Sequence, residues 1–399
     1  MTEQDFERVL SFIDETRLVH LAQALVRIDT QNPPGNEGSL ASFAAEHLSP
    51  FGLACELQEV KPGRANLLAR LGPQGARPHL IFNGHADTVP AGGGWTHDPH
   101  GGALADGRLY GRGAADMKGG LAAMMTAVEA LVRSGARVSG SLTLAATMDE
   151  EETQEGTRFA VRHGLRGDFA IVGEPTDLLP VIAHKGDAVI EIETRGVEAH
   201  GSTPDAGVSA IDHMGDVLVE LRALAERMRA RRDPLLGHPT LHVGTIEGGV
   251  NPWMVAGRCR ITIDRRVLPG ERPEGVVQEV QEVVDRLDKR VPNFRGSARL
   301  VTFAQPMKTV PTNPVVAAIR EATARVVGRD PGIHGWSATC DANIHVNEGE
   351  TPAVVFGPGS IQREAHRPDE SVAIAELVAA ARIYALTALR LLDGGRESV

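Results

Sequence analysis

The sequence predicts an α/β fold, with a larger domain built on a mostly parallel sheet and a smaller α+β domain inserted into it. Its 399 residues are enough for two or three domains at roughly 100–200 residues each. Short apolar runs alternate with helical patterns toward both ends of the chain, an order typical of a parallel sheet covered by helices. The middle of the chain instead alternates apolar and polar residues, as strands with one exposed face do.

The first block, 1–184, is predicted to begin with a helix. Apolar residues recur at helical spacing from Phe6 to about Ile28, and the segment 32–35, Asn-Pro-Pro-Gly, then ends the helix. Short apolar runs that predict strands follow at 66–71, 79–83, 141–147 and 168–172. A helix rich in Ala, Met and Leu is predicted over 120–132, between the second and the third of these runs.

The middle block, 185–298, is predicted to form a ferredoxin-like sandwich. Its predicted elements are a strand at 188–193, a helix at 208–229, strands at 240–246 and 257–267, and a helix at 273–287. This order suits a small sandwich with one open sheet face. The α/β pattern then returns over 299–399, with helices near 313–326 and 371–392 around a strand at 353–356. We therefore expect 299–399 to complete the domain that 1–184 begins.

Composition excludes several classes of function. Lys and Arg number 41 against 52 Asp and Glu, so the formal net charge is −11, and without a basic run nucleic acid is not an expected partner. Cys55, Cys259 and Cys340 form no CxxC pattern, which argues against disulfides and thiolate metal sites. The N-terminus is polar and acidic, and no apolar run approaches about 18 residues. We therefore expect a cytoplasmic protein that does not enter membranes.

Four polar clusters follow predicted strands, where open α/β sheets place their ligands. His85 and Asp87 follow the strand at 79–83, and residues two apart on an extended segment point the same way. Asp87 can therefore accept the second imidazole proton while His85 binds a metal. The other clusters are 111–120 with Asp116, the acidic run 149–152, and 173–176 with Glu174. Each cluster by itself is equally compatible with an ordinary loop, a helix cap, a solvated acidic run or a turn.

Together the clusters indicate a metal centre. The four carboxylates at 149–152 repel one another at the end of a buried strand unless a cation lies among them. His366, before the last predicted helix, adds a second imidazole. Zinc prefers such nitrogen and oxygen ligands, and two zinc ions would be balanced by Asp116, Glu151, Glu174 and a bridging hydroxide.

Other catalytic classes are disfavoured. Asp116 stands where a dinucleotide-binding G-x-G-x-x-G segment needs its third glycine. Neither a G-x-S-x-G nucleophile elbow nor a G-x-x-x-x-G-K-[ST] phosphate loop occurs in the sequence. Serine hydrolases and P-loop NTPases are therefore not expected.

In this order the segments GHADTVP (84–90), GRGAADMKG (111–119), DEE (149–151), GEPT (173–176) and AHRPDE (365–370) resemble the di-zinc amidohydrolases and peptidases. This family includes acetylornithine deacetylase, succinyl-diaminopimelate desuccinylase, aminoacylase and glutamate carboxypeptidase. The resemblance implies a catalytic domain with an inserted dimerisation or lid domain, and two zinc ions per subunit, for which cobalt or manganese can substitute. It implies that His85, Asp116 and Glu174 hold one ion. Asp116, Glu151 and His366 would hold the other, with Asp116 as the bridge.

The same resemblance implies the catalytic roles. Glu150 matches the general base, which takes a proton from metal-bound water, leaves hydroxide to attack the amide carbon, and returns the proton to the leaving amine. Asp87 matches the partner of His85. His200, in the segment 196–204, would stabilise the tetrahedral oxyanion, in many members from the neighbouring subunit of a homodimer.

Substrate contacts are implied with more departures from the family pattern. Arg266 would bind a substrate carboxylate bidentately, and Asn251 would add a polar contact. The residues that follow Asn251 depart from the usual N-x-x-P, and Cys340 and Asn343 stand where the family has Thr and Arg. The segment 357–360 matches the substrate-carboxylate loop through the residues Gly357, Gly359 and Ser360.

We therefore predict a metal-dependent hydrolase that cleaves the amide bond of a small N-acyl amino acid. The alternatives are a di-zinc carboxypeptidase or dipeptidase acting on short peptides or acylglutamates, and an enzyme for an unusual C–N bond. A binding protein that kept the fold without activity is disfavoured, because the predicted ligands and the predicted base are all present.

Overall fold

A computed structural model of the chain describes residues 3–136 and 138–393. The chain divides into two compact units. Unit 1 contains the described residues of Met1–Ile182, Thr309–His334 and Cys340–Val399, and unit 2 consists of Ala183–Lys308 and Gly335–Thr339. The predicted inserted block was 185–298, and unit 2 extends past it because residues 296–304 form a strand of its sheet.

Unit 1 begins with three helices before its first strand. Up to residue 184 the helices are α1 (Glu3–Leu10), α2 (Glu15–Arg27), α3 (Glu37–Leu48), α4 (Lys118–Arg133) and α5 (Glu155–Arg162). The strands in this part are β1 (Ala54–Lys61), β2 (Arg64–Leu71), β3 (His79–His85), β4 (Ala103–Ala105), β5 (Arg108–Tyr110), β6 (Ser141–Thr147), β7 (Phe169–Val172) and β8 (Val181–His184).

The prediction of one helix over 6–28 is wrong. α1 ends at Leu10, and α2 begins at Glu15. The break arises because Asp14 adopts an extended conformation, with φ −100° and ψ 118°, and its carboxylate accepts the backbone N–H of Arg17 at 3.1 Å. An N-cap of this kind starts a new helix, while the apolar residues on both sides keep the helical period.

The large sheet is mixed, with a parallel centre. Its strands lie in the order β1-β2-β6-β3-β7-β15-β8, where β15 is Ala353–Val355. Strands β6, β3, β7 and β15 pair in parallel, whereas β1 with β2, β2 with β6, and β15 with β8 pair antiparallel. Every residue of β6 is buried, as a central strand covered on both faces requires. The predicted α/β class is confirmed, and its mostly parallel sheet is corrected to a mixed one.

Unit 2 carries an antiparallel sheet. Its elements are β9 (Gly186–Arg195), α6 (Ala210–Met228), β10 (Thr240–Gly248), β11 (Arg258–Val267), α7 (Pro273–Arg290), β12 (Gly296–Ala304) and β13 (Met307–Lys308). The strand order β10-β11-β9-β12 is that of a ferredoxin-like sandwich. Along β11 the side chains alternate strictly, with Cys259, Ile261 and Ile263 buried in the core and Asp264 and Arg266 more exposed.

From Thr309 the chain returns to unit 1, except that Gly335–Thr339 belong to unit 2. The remaining elements are α8 (Pro314–Val327), β14 (His334–Trp336), α9 (Ala342–Asn347), β15, β16 (Ser371–Ala373) and α10 (Ile374–Leu392). The last helix begins at Ile374, three residues later than the predicted start at 371, because residues 371–373 pair with β5 as a strand of a small separate sheet. Within the described residues, no helix combines the length and the apolar character that a membrane span requires.

Candidate metal centre and active site

The candidate ligands stand where three parallel strands end. His85 is the last residue of β3, Glu150 and Glu151 follow β6, and Glu174 follows β7. Strand β3 lies between β6 and β7, and His85 is opposite the last residue of β6. Because the carboxyl ends of parallel strands meet at one edge of a sheet, these four side chains converge.

The first group of potential ligands is buried. His85, Asp116 and Glu174 offer ligand atoms that all lie within 4.8 Å of one another. The Nε2 atom of His85 is 3.0 Å from Oδ1 of Asp116 and 3.7 Å from Oε1 of Glu174. We call these three residues the inner triad.

A second group shares one of its members. Asp116, Glu151 and His366 also offer ligand atoms within 4.8 Å of one another, and we call them the outer triad. The Nε2 atom of His366 is 3.3 Å from Oδ2 of Asp116 and 3.3 Å from Oε2 of Glu151. Asp116 therefore turns one carboxylate oxygen toward each histidine, which is the arrangement a bridging ligand needs.

The electrostatics of both triads favour a cation. Burial, only partly opposed by the charge of His85, raises the pKa of Glu174 well above its ordinary value. Burial would lower the pKa of His85, but the charges of Glu174 and Asp116 raise it well above its ordinary value. Within the described residues, Oε1 of Glu151 and Oε1 of Glu174 are buried without a hydrogen-bond partner. Unshared buried carboxylate oxygens beside imidazoles fit divalent metal ions, so the donor set passes this test.

Glu150 belongs to neither triad. Burial and the charge of Glu174 raise the pKa of Glu150 well above its ordinary value, against the opposing charge of His85. Its Oε1 atom accepts only a long hydrogen bond, 3.4 Å, from the amide of Gln154 among the described contacts. A carboxylate with a raised pKa and weak hydrogen bonds of its own is a better proton acceptor than an ordinary glutamate.

Asp87 links two parts of the site. The Nδ1 atom of His85 lies 2.9 Å from the backbone carbonyl of Asp87 and 3.7 Å from its carboxylate, so the nearer partner is the carbonyl. This corrects the expectation that the Asp87 carboxylate takes the imidazole proton. The carboxylate instead accepts the backbone N–H groups of Glu150, at 3.0 Å, and Glu151, at 3.2 Å. Burial raises the pKa of Asp87 to about 6, although His85 opposes the rise.

The turn that carries Glu150 is fixed through Asp149, which has a left-handed φ of 67°. Its Oδ1 atom accepts hydrogen bonds from Asn32 and Arg64, both at 2.9 Å, and its Oδ2 atom accepts one from Lys61 at 3.1 Å. Arg64 is itself paired with Glu37, whose side chain is fully buried. These partners offset a backbone conformation that costs roughly 1–3 kcal/mol in a residue with a side chain.

A second buried carboxylate, that of Asp341, joins the two ends of the same turn by hydrogen bonds. The Oδ2 atom of Asp341 accepts hydrogen bonds from the hydroxyls of Thr147, at 3.1 Å, and Thr157, at 2.5 Å. Thr147 lies just before the turn and Thr157 just after it, so one side chain holds both ends. Asp341 also contributes to the raised pKa of Glu150, after burial and the charge of Glu174.

Sequence reasoning did not assign these supporting residues a role. Asn32 reads as part of a helix stop, although its buried amide joins Asp87 to Asp149, with distances of 3.0 and 2.9 Å. Arg64 opens a strand without any local signal. The acidic run 149–152 gives no sign that Asp149 is ion-paired with Lys61 and Arg64 and is thereby set apart from the glutamates that follow it.

Three predicted site residues lie in unit 2. His200 is in an exposed turn, where its Nδ1 atom accepts the backbone N–H of Ser202 at 3.1 Å. Asn251 is exposed, and its Oδ1 atom accepts the backbone N–H of Trp253 at 3.0 Å. The guanidinium of Arg266 donates to Oδ2 of Asp264 at 2.9 and 3.2 Å.

The predicted substrate-carboxylate loop packs against the segment that carries Glu174. A Cβ atom on Gly357 would lie 2.4 Å from the carbonyl of Gly173, so glycine is needed for this close approach. The N–H of Gly357 donates to Thr176. Two further donors are also in use, because the N–H of Gly359 donates to Glu376 at 2.7 Å and the hydroxyl of Ser360 donates to Asp177 at 3.0 Å.

Asp369, three residues after His366, does not cap the last helix. The helix α10 begins at Ile374, four residues beyond the position that a cap at 369 would require. The Asp369 carboxylate instead accepts the backbone N–H groups of Thr96, at 2.9 Å, and His97, at 3.1 Å. These two hydrogen bonds lower the pKa of Asp369 to about 2 and anchor the segment that carries His366.

The chain is similar in sequence to known proteins. The model of a family described as peptidase family M20/M25/M40 matches residues 81–390, a range that contains both triads. The acetylornithine deacetylase of Vibrio cholerae is 33% identical over 377 residues, 91% of this chain and 94% of that protein. The acetylornithine deacetylase of Myxococcus xanthus is 34% identical over 381 residues, 93% of this chain and 96% of that protein.

Solved structures are similar in fold at lower identity. An aminopeptidase PepT from Bacillus cereus has a TM-score of 0.80 at 22% identity, covering 95% of this chain and 99% of that one. A dinuclear metal-binding peptidase of the M20 family from Bacillus subtilis has a TM-score of 0.72 at 14% identity, covering 96% of this chain and 99% of that one. At these identities the likeness concerns the fold.

Proposed function

Because the chain belongs to peptidase family M20/M25/M40 and is thus a hydrolytic enzyme, we propose that it cleaves the amide bond of an N-acyl amino acid. The observation that carries the substrate class is the 33–34% identity to acetylornithine deacetylases over more than nine tenths of the chain. The similar aminopeptidase structure is below 25% identical, so it supports the fold and does not favour a peptide substrate.

We propose that the inner triad holds one divalent ion and the outer triad holds the other, with Asp116 as the ligand common to both. The nitrogen and carboxylate donors favour zinc, and cobalt and manganese accept the same donor types. When bound, a metal pair of this kind polarises the scissile carbonyl and lowers the pKa of water. The two buried carboxylate oxygens without hydrogen-bond partners support this assignment.

We propose that Glu150 moves the proton of the reaction. As a carboxylate it accepts a proton from the attacking water, and as a carboxylic acid it donates that proton to the leaving nitrogen, so that no net proton is lost. Its raised pKa supports the step in which it accepts a proton. Asp87 keeps the backbone of Glu150 and Glu151 in place during the transfer, through the two N–H groups that its carboxylate accepts.

In unit 2 we propose that His200 stabilises the oxyanion and that Arg266 binds the substrate carboxylate, with Asn251 as a weaker contact. Arg266 is partly exposed, whereas its neighbour Arg265 is 1% exposed and paired with Glu271, so Arg266 is the arginine that can reach a substrate. Because the N–H groups of Gly357 and Gly359 and the hydroxyl of Ser360 already donate within the protein, we propose that these three residues support the Glu174 segment, which leaves the N–H of Ser360 as the donor for a substrate carboxylate.

We further propose that the protein is a homodimer. Unit 2 exposes several large apolar side chains, including Val250 at 82%, Trp253 at 72% and Ile246 at 57%. Apolar surface of this kind is typical of protein interfaces. Sedimentation equilibrium would give twice the chain mass for a dimer, and the chain mass itself would contradict this proposal.

The proposed reaction is tested by hydrolysis of a substrate panel with zinc- or cobalt-loaded protein. The panel contains N-acetylornithine, N-succinyl-diaminopimelate, N-acetylmethionine, an acylglutamate and simple dipeptides, each with and without a chelator. We expect chelator-sensitive hydrolysis of one N-acyl amino acid. Hydrolysis of dipeptides alone would establish the peptidase alternative. Two bound metals with no hydrolysis across the panel would contradict both and indicate an unusual C–N bond.

A matched variant tests the role of Glu150. Glu150→Gln keeps the shape of the side chain and removes its ability to carry the proton, so we expect kcat to fall by about two to four orders of magnitude. Both metals should remain bound, because Glu150 is outside both triads. Metal content measured beside kcat separates the two effects, and a variant with full activity would exclude Glu150 as the base.

A further inference from the structure

Glu370 holds the backbone of the ligand that both triads share. Its Oε1 atom accepts the N–H groups of Ala115 and Asp116, each at 3.0 Å. The Glu370 side chain is 1% exposed, so water does not compete for these hydrogen bonds. A carboxylate that accepts the backbone N–H of a ligand residue fixes the position of the backbone from which that ligand side chain extends.

Arg112 anchors Glu370 from the other side. Its guanidinium forms an ion pair with Oε2 of Glu370 and donates to the carbonyls of Pro90, at 3.3 Å, and Ala91, at 3.2 Å. The guanidinium also lies over the ring of Trp95, 5.2 Å from its centroid. Arg112 is 2% exposed and lies four residues before Asp116 in the same loop. The carboxylate is therefore held by a rigid, buried cation.

Glu370 also joins two ligand-bearing segments. It lies four residues after His366, and its backbone carbonyl accepts the N–H of Gly111 at 2.8 Å. The side chain and the backbone of one residue thus tie the segment with His366 to the loop with Asp116. The distance between these two ligands of the outer triad depends on that tie.

We propose that Glu370 is a positioning residue for both metal sites. It places Asp116, which the inner and outer triads share, and it sets the separation of Asp116 from His366. The role rests on the metal centre of the proposed function. Partners of metal ligands commonly change metal affinity by 10- to 100-fold when they are removed.

A carboxylate is required at position 370 because the side chain must accept two backbone N–H groups and also face the Arg112 cation. One oxygen accepts two backbone N–H groups while the other faces the Arg112 cation. A glutamine at 370 keeps one oxygen for the N–H groups but turns an NH₂ group toward Arg112, and donors facing donors repel. We therefore expect Glu370→Gln to shift the Asp116 loop while the chain still folds.

The test is stepwise zinc binding, measured by competition with a chromogenic chelator. We expect Glu370→Gln to weaken both binding steps, each by about 10- to 100-fold. The matched control is Glu364→Gln. Glu364 lies on the same segment as Glu370 and also accepts a hydrogen bond from an arginine, Arg108, at 3.0 Å. It is not among the hydrogen-bond partners of Asp116. The control should leave both steps within about twofold of the unaltered chain.

A second variant and a second readout separate positioning from general stability. Arg112→Lys keeps the charge but cannot reach Glu370 and both carbonyls together, so both steps should weaken by a smaller factor. The absorption spectrum of the cobalt-loaded variants should change in shape as ligand geometry changes. A lower thermal midpoint of the metal-free chain with unaltered zinc affinity and cobalt spectrum would overturn the proposal, as would weakening of one step alone.

The outcomes for Glu370 and for the metal centre are distinct. If the unaltered chain fails to bind two zinc ions, the metal centre of the proposed function is wrong and this role is wrong with it. If the unaltered chain binds two ions and Glu370→Gln binds them equally well, only the role of Glu370 is overturned.

Discussion

The inner and outer triads share Asp116 but differ in exposure. In the inner triad His85, Asp116 and Glu174 are 1%, 4% and 3% exposed. In the outer triad the side chain of His366 is 49% exposed. One shared carboxylate thus serves a site closed by the sheet and a site open to solvent on one side.

The difference follows from how each ligand is placed. His85 and Glu174 stand at the ends of adjacent parallel strands, where the register of the sheet sets their separation. Glu151 and His366 stand in turns, and His366 has a left-handed φ of 61°. Two ligands of the inner triad, His85 and Glu174, are therefore positioned by strand pairing, whereas Glu151 and His366 of the outer triad depend on side chains that hold their turns. Asp116, which both triads share, is held by Glu370.

The largest effect on metal content and kcat is expected when one ligand is removed from each triad in separate variants. Glu174→Gln should lose the ion of the inner triad, and His366→Gln should lose the ion of the outer triad, each with kcat reduced more than the roughly 10- to 100-fold typical of a metal ligand's partner. Because the inner triad is buried and preset, the ion that survives in His366→Gln should be the more tightly bound. Zinc titration of both variants measures this.

Two results would break the comparison between the triads. Equal affinity for the remaining ion in the two variants would mean that exposure does not distinguish the sites. Loss of both ions in His366→Gln would mean that the inner triad is not preset without the outer one. Glu321→Gln is a control that should retain both ions, because Glu321 is outside both triads and its exposed side chain pairs with Arg390.

A smaller effect is expected from pH, because hydrogen bonds to Asp116 and Glu151 raise the pKa of His366 to about 10. At pH 7 the metal-free imidazole is therefore protonated, and a metal ion must displace that proton before it binds. Affinity at the outer triad should rise about tenfold per pH unit from pH 7 toward 10 and fall as the pH is lowered.

Proton release checks the sign of this effect. In weak buffer at pH 7, zinc binding to the outer triad should release about one proton from His366, and His366→Gln should abolish that release. The pKa of His85 is also raised, after the opposing effect of burial, by the charges of Glu174 and Asp116, so binding at the inner triad has the same sign. Zinc binding without proton release would contradict the raised pKa values.

Local patterns in the sequence predicted the strands that carry the candidate ligands better than the side chains that support the site. The strand at 141–147 was predicted with the bounds that it has, because a fully buried central strand is a continuous apolar run. The family resemblance is confirmed, whereas the ligand sets that it implies stay predictions. The helix break at Asp14 was not predicted, because the apolar period continues across it.

The supports could not be predicted because their partners are distant in the chain. Asn32 and Asp149 are 117 residues apart, and Glu370 and Asp116 are 254 apart. No local period records such a pair, and the polar residue at each end also suits a turn. The mixed sheet escaped prediction for the same reason, since β2 pairs antiparallel with β6 across about 70 residues of chain.

The smallest effects on metal binding and kcat are expected from changes in the side chains that hold the turn before Glu151. Arg64 and Lys61 both donate to Asp149, which precedes Glu150 and Glu151. Arg64→Met leaves the fully buried Glu37 without its cation, so we expect the free energy of unfolding to fall by about 3–5 kcal/mol. Chemical denaturation of the metal-free chain measures the loss, and a change below about 1 kcal/mol would contradict the need for the pair.

Lys61→Met removes the same charge from a position where it matters less. The Lys61 side chain is 43% exposed, so its ion pair is screened by solvent and should contribute less than about 1 kcal/mol. Asp149 also keeps its hydrogen bonds from Asn32 and Arg64, so the turn with Glu150 should stay in place and kcat should change less than about threefold. A large loss of kcat in Lys61→Met with unaltered stability would mean that the charge of Lys61 acts on the outer triad directly. In that case burial would not be what separates essential from dispensable supports.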